Sequence, residues 1–407
     1  MSRTYLDHAA STPMLPAAIE AMSRELSRLG NPSALHGSGR SARRVVEESR
    51  EAIAACVGAR PNEVIFTSGG TEADNQALKG AFWAARSRAP VRQRLVSSTI
   101  EHHAVLDTLD WLSESEGAEI TLVGVDAEGR VDLDELRAAM SPDVAMVSVM
   151  WANNEVGTLQ DMPAVSSLAA EHGALSHSDA VQAVGHIAVD FAASGLDTLS
   201  FTGHKLGGPV GVGALLARRE VELTSVLHGG GQERDLRSGT LPVAAIAGFA
   251  AAVQESVAVR EAEEQRLRAL RGELVSTLLS TIADTRLNGT EDPGRSLPTV
   301  TNISFAGCRA DSLLMLLDAA GVDCSAGSAC SAGVSRASHV LTAMGRSETE
   351  ALSSLRFSLG HSSTAADVAV LLRALPEAVS RARAAGALVS GSRSGTLSTS
   401  SSAASLG

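Results

Sequence analysis

The stretch Glu63-Val64-Ile65-Phe66-Thr67-Ser68-Gly69-Gly70-Thr71-Glu72 passes from a short apolar, β-branched run through a glycine pair into the helical pattern of residues 73–79. A strand that hands over to a helix in this way is the repeating unit of an α/β fold. Outward from it, residues 94–98, 119–123, 144–149, 197–201 and 212–217 read as further strands, with helical patterns in most of the gaps. The alternation predicts a mostly parallel central sheet flanked by helices, with ligands at the carboxyl ends of the strands. A long helical pattern over 243–280, a turn-rich stretch over 288–298, and strand-like runs at 299–305 and 354–359 mark a smaller α+β domain. The expected organisation is an N-terminal segment 1–15, a large domain 16–260, a small C-terminal domain 261–385 and a tail 386–407. The tail is rich in Ser, Gly, Ala and Thr, a composition that predicts disorder. Helices over 16–29 and 41–57 are expected beside the small domain or across the large one.

The chain carries 34 basic and 46 acidic side chains, a formal charge of −12, and aromatics make up only 3% of its 407 residues, with Tyr5 the sole tyrosine. A nucleic-acid reader needs a basic face and stacking platforms, so that class is excluded. Residues 1–10 lack a basic region followed by an apolar stretch, and the apolar run at 243–253 is short for a membrane span. A cytoplasmic protein without membrane contact is therefore expected. Cys56, Cys308, Cys324 and Cys330 show no C-x-x-C spacing, which argues against a disulfide framework or structural zinc and for a reducing compartment.

Only two of the basic residues are lysines, Lys79 and Lys205, beside 32 arginines. Arginine stays protonated and cannot serve as an amine nucleophile. Lys205, in Thr202-Gly203-His204-Lys205 just past a strand, thus reads as a catalytic amine, with a solvated loop lysine as the alternative. Lys79 closes a helix and suits its dipole. Gly69, Gly70 and Thr71 at a helix start fit a phosphate, although a plain strand-to-helix turn uses the same residues. They form neither a G-x-G-x-x-G fingerprint nor a P-loop. Asp179 ends a small-residue strand over 174–178 with Gln182 three positions on, and either faces a protonated ring nitrogen or caps a helix. Asn153, Asn154 and Glu155 are site residues or turn residues. His102 suits stacking on a planar ring; His103 points elsewhere along the backbone and no carboxylate or cysteine at helical spacing completes a ligand set, so no metal site is expected. Cys330 lies in Cys324-Ser325-Ala326-Gly327-Ser328-Ala329-Cys330-Ser331-Ala332-Gly333, almost free of anchoring side chains, which predicts a nucleophilic thiol on a mobile arm. Cys324 reads as an inward-pointing strand residue.

Together these pieces resemble the cysteine desulfurases of the NifS and IscS type, fold-type I pyridoxal-phosphate enzymes related to the class V aminotransferases. The resemblance spans residues 4–380 and includes Tyr5-Leu6-Asp7-His8-Ala9-Ala10, Gly30-Asn31-Pro32-Ser33, Gly69-Gly70-Thr71-Glu72, Glu101-His102 and Asn153-Asn154-Glu155-Val156-Gly157. It continues through Asp179-Ala180-Val181-Gln182, His204-Lys205, Gly229-Gly230-Gly231-Gln232-Glu233, Arg237-Ser238-Gly239-Thr240, Gly327-Ser328-Ala329-Cys330 and Arg356-Phe357-Ser358-Leu359-Gly360.

The resemblance implies that Lys205 forms the Schiff base with pyridoxal 5'-phosphate, Asp179 pairs with the ring nitrogen, His102 stacks on the ring, Gln182 meets the ring oxygen, and Asn154 lies against the cofactor. Gly70, Thr71, Thr202 and His204 would hold the phosphate, joined by Thr240 from the partner in a homodimer. Arg356, with Asn154 nearby, would bind the carboxylate of L-cysteine, and Cys330, deprotonated near a positive group such as His102, would take the sulfur as a persulfide while L-alanine leaves. The sulfur would pass to an acceptor or iron–sulfur scaffold protein. Selenocysteine lyases and other class V enzymes share Lys205 and Asp179 without needing the mobile thiol, and a non-catalytic docking protein for iron–sulfur assembly would predict a damaged site. Val210, where the family often has lysine, and the Ser-rich tail depart from the IscS pattern, so the acceptor stays open.

Overall fold

The computed structural model describes residues 3–326 and 336–393. Its centre is a seven-stranded sheet in the order Val64–Thr67, Gly213–Ala217, Thr198–Thr202, Leu175–Asp179, Val144–Ser148, Arg94–Ser98, Glu119–Val123. Gly213–Ala217 runs antiparallel to both neighbours, and the remaining pairings are parallel. The interior strands Val144–Ser148, Thr198–Thr202 and Gly213–Ala217 are buried along their whole length, as strands covered on both faces must be. The edge strand Glu119–Val123 exposes part of its surface instead. Successive residues point to opposite faces, so Phe66 and Val96 enter one core while Ile65 and Leu95 enter the other.

A second, three-stranded antiparallel sheet joins Ser354–Ser358, Val300–Phe305 and Thr285–Asn288. Its core holds Ile303, Phe305, Leu313, Phe357 and Leu371. The helix Val243–Thr281 serves both units: Ile246, Phe249 and Val253 pack in the large core, and Leu267, Leu274 and Leu278 in the small one. By length and composition alone this helix is apolar enough to cross a membrane, a reach that the 243–253 run did not suggest. Its two buried apolar stretches instead join two cores.

The N-terminal segment also bridges the units. Thr4–Tyr5 pairs in parallel with Val322–Asp323, Leu6 enters the small core and Leu15 the large one. Helices Pro16–Leu26 and Gly37–Cys56 bring Ala18, Val46 and Ile53 into the large core, so they lie on its side. The second begins earlier than expected because the His36 ring accepts the Gly39 amide at 3.2 Å and caps it. The final helix, Ala365–Arg393, continues past residue 386, where disorder was expected. Ala384, Ala385, Ala387 and Leu388 favour a helix already nucleated by the packed residues before them.

Candidate active site

Five parallel strands end around one cavity of about 300 Å3. Val64–Thr67 delivers Gly70 and Thr71; Arg94–Ser98 leads to His102; Val144–Ser148 leads to Asn154; Leu175–Asp179 ends on Asp179; and Thr198–Thr202 is followed by His204 and Lys205. Gln182 and Arg356 complete the predicted lining. Leu175–Asp179 is the least apolar of the buried strands, Leu-Ser-His-Ser-Asp, because its side chains serve the site as well as the core. A more open groove of about 900 Å3 between the first two helices and the start of Val243–Thr281 holds none of these residues.

The cavity is shaped for a ligand with an anionic end. Helix Gly70–Arg88 begins there with free amides, and a side chain at Gly70 would place its Cβ 2.7 Å from Val181 Cγ2. Glycine is thus required by close approach. Glu72, in the same turn, accepts the Ser68 amide at 2.8 Å and Arg237 Nε at 2.8 Å. Burial pushes its carboxyl up, but these donors outweigh burial and hold it below the ordinary range.

Lys205 closes a short helical turn, Gly203–Lys205, and its Nζ donates to the carbonyls of Ala9 at 2.6 Å and Ala10 at 2.7 Å. Burial, with a contribution from Arg356, lowers its pKa to about 8. Asp179 accepts the Val181 amide on Oδ1 at 2.8 Å; burial, then the Asp74 charge, pushes it up to about 7 against the pull of His102. Gln182 donates to the Ala9 carbonyl at 2.9 Å. Burial and Lys205 hold His204 down at about 4, so it is a neutral imidazole.

His102 caps helix His103–Glu116: its Nδ1 accepts the Ala104 amide at 3.1 Å. Burial lowers its pKa, so it is neutral with its proton on Nε2, not the positive group expected to ionise Cys330. His103 turns away to Asp107 at 3.1 Å. Asn153 is a turn residue: its side chain is fully buried, donates to Ile100 O at 3.0 Å and accepts the amides of Glu155 and Val156.

Arg356 reaches the cavity from the small domain. Its Nη1 donates to Asn154 O at 3.0 Å and Nη2 to Asp7 Oδ1 at 2.9 Å, while Nε is buried with no hydrogen-bond partner among the described residues. A guanidinium held on one side and open on the other suits a carboxylate. Cys324 lies just beyond the two-residue strand Val322–Asp323, and burial followed by Asp7 pushes its thiol up to about 12. It is a resting thiol. Cys330 lies outside the described residues. Thr240 is exposed and does not line this chain's cavity.

Neither Asp7 as the partner of Arg356 nor Asp74 in the cavity wall was read from the sequence. Asp7 sits 349 positions from Arg356, a separation that no local pattern bridges. The signal for Asp74 was its spacing, one helical turn after Gly70, which puts both on the same face.

An anion-binding helix start, a buried carboxyl and a buried amine of lowered pKa around one cavity fit a phosphorylated pyridine aldehyde, and on this sheet they define a fold-type I pyridoxal-phosphate enzyme. Residues 4–371 match the family described as aminotransferase class-V, and the chain belongs to that family. It is 55% identical over 389 residues to an IscS-like cysteine desulfurase of Mycobacterium tuberculosis, covering 95% of this chain and 99% of that one. A solved NifS-like protein superposes with a TM-score of 0.86 at 34% identity, covering 93% of this chain and 100% of the other. The structure titled SspA in complex with cysteine gives 0.75 at 33% identity, over 88% and 98% of the two chains. The activity of this chain is that of a pyridoxal-phosphate-dependent cysteine desulfurase, with cysteine as substrate.

Proposed function

We propose that the cavity residues divide the desulfurase reaction as follows. Gly70, Thr71, Thr202 and His204 hold the cofactor phosphate, His102 stacks on the ring with Asn154 against it, Gln182 meets the ring oxygen, and Asp179 faces the ring nitrogen. When bound, pyridoxal phosphate supplies a carbonyl that captures amines and a protonated ring that withdraws electrons. Arg356 takes the substrate carboxylate with the side of its guanidinium left open by Asp7 and Asn154. Lys205, freed as an amine, removes the α-proton; its lowered pKa of about 8 keeps it competent as a base near neutral pH.

Cys330, as thiolate, attacks the substrate sulfur: an S–S bond forms, the C–S bond breaks, and its electron pair stays on carbon, which takes a proton as the methyl of alanine. His102, neutral with its proton on Nε2, offers that N–H to the cavity as a hydrogen-bond donor. The persulfide passes to an acceptor protein in the cytoplasm. In a homodimer, Thr240 of each chain completes the phosphate site of the other; its exposure, on a segment tied by Arg237 to Glu72, supports this reading. The observation that carries the assignment is the meeting of Lys205, Asp179 and Arg356 in one cavity. An ultraviolet-visible spectrum with added cysteine, followed by alanine analysis, tests it. The wild type should show a lysine-linked cofactor absorbance that cysteine shifts, with alanine released, and Lys205→Ala should lack both. A colourless wild type after reconstitution, or a cofactor adduct mapped to Lys79, would sink it.

A further inference from the structure

The site holds a second buried carboxyl for which the reaction has no stated use. Asp74 lies on helix Gly70–Arg88, is 1% exposed and lines the same cavity as Asp179. Among the described residues no arginine or lysine pairs with it. Its Oδ1 stands 3.3 Å from Nε2 of His177, and the Ser200 hydroxyl lies beside it. His177 is fully buried and lies two residues before Asp179 on the same strand, so the two side chains leave that strand on one face. On its other side, His177 Nδ1 is 2.9 Å from Thr198 Oγ1, and the Thr198 hydroxyl reaches Ser176 O at 3.4 Å.

The polarity of this chain follows from those contacts. A Thr198 hydroxyl spent on the Ser176 carbonyl accepts from Nδ1, so Nδ1 carries the imidazole proton and Nε2 is a bare acceptor. Only a protonated Asp74 can donate to it. The charged and titratable groups around Asp74 point the same way: His177 and Asp179 on one strand, and Glu101 beyond the strand Arg94–Ser98, bring no cation. Burial holds His177 at about 4 and lifts Asp74 to about 7 against the pull of the Ser200 hydroxyl. An ionised Asp74 would be a desolvated anion close to a second carboxylate.

We propose that Asp74 is a positioning residue that works as a neutral acid, donating its O–H to His177 Nε2 and leaving Asp179 as the sole anion facing the cofactor ring nitrogen. This rests on the pairing of Asp179 with that nitrogen. Two carboxyls so close share their protons as one system, and a fixed proton on Asp74 leaves Asp179 free to stay ionised against the ring.

The test uses the loaded protein and three variants, reading the pyridoxal-phosphate dissociation constant by dilution and absorbance, and the His177 tautomer by nitrogen-15 resonance in histidine-labelled protein. Asp74→Ala, which removes the donor, should weaken cofactor binding roughly tenfold or more, and Asp74→Asn, whose amide donates without charge, should return it to within about threefold of wild type. His177 should carry its proton on Nδ1 in both the wild type and Asp74→Asn. An Asp74→Asn protein as weak as Asp74→Ala, a silent Asp74→Ala, or a proton on His177 Nε2 would overturn the inference. Asp179→Asn separates the two layers: it should lose the cofactor, and if it binds normally the ring-pairing reading fails and the inference with it.

Discussion

Lys205 owes its chemistry to a place where water is scarce and two backbone carbonyls, those of Ala9 and Ala10, receive its amine. Burial lowers its pKa to about 8 from the ordinary lysine value of 10.5, so the neutral amine dominates above about pH 8 instead of only in strong base. Capture of pyridoxal phosphate by cofactor-free enzyme should therefore speed up as pH rises and level off above about pH 8. Stopped-flow absorbance checks this; a rate still climbing steadily to pH 10 would mean an ordinary lysine. Lys205 stood out in the sequence because lysine is so rare there, and Asp179 because a strand ended on it. The charge state of His102 could not be read in the same way. It depends on burial and on the use of Nδ1 as a helix cap, both of which arise only once the fold brings the neighbours together.

Strands with apolar, β-branched runs could be placed from the sequence to within a residue or so, because a strand buried on both faces favours such a run. The two-residue strand Thr4–Tyr5 could not, since its pairing partner, Val322–Asp323, lies across most of the chain. The same holds for the ion pairs that brace the glycine turn. Arg50, on helix Gly37–Cys56, meets Glu233 with two bonds of 2.7 Å, and its Nη1 donates to Val64 O at 2.7 Å. Glu233 also accepts the Phe66 amide at 2.8 Å, so the strand that leads to Gly70 is fastened from both sides. Arg50→Ala leaves Glu233 a buried, uncompensated anion and should destabilise the protein by about 3–5 kcal/mol in urea unfolding. A loss below about 1 kcal/mol would show that the pair is solvated in solution.

At the scale of the whole molecule, one helix and the N-terminal segment join two cores, which places Arg356 of the small unit opposite Lys205 of the large one. The division into a sheet domain and a smaller domain followed from the order of strands and helices. A role for Thr240 in a partner's site is not readable from that order, because Thr240 stands in its own surroundings as an exposed residue. If each Thr240 serves the partner's phosphate site, mixing Lys205→Ala and Thr240→Ala chains, each inactive alone, should form heterodimers with one working site. Activity should then recover to at most about half of wild type per site. A fully active monomer, or no recovery in verified heterodimers, would remove the shared site.

The reaction as a whole turns on where the sulfur goes. Peptide mass mapping after brief treatment with cysteine, before any reductant is added, should find one extra sulfur on the peptide that carries Cys330 and none on those carrying Cys56, Cys308 or Cys324. The Cys324 thiol, pushed up to about 12, should stay unmodified, and Cys330→Ala should load cofactor yet release no alanine. An extra sulfur on Cys324, or normal turnover of cysteine by Cys330→Ala, would contradict the mechanism.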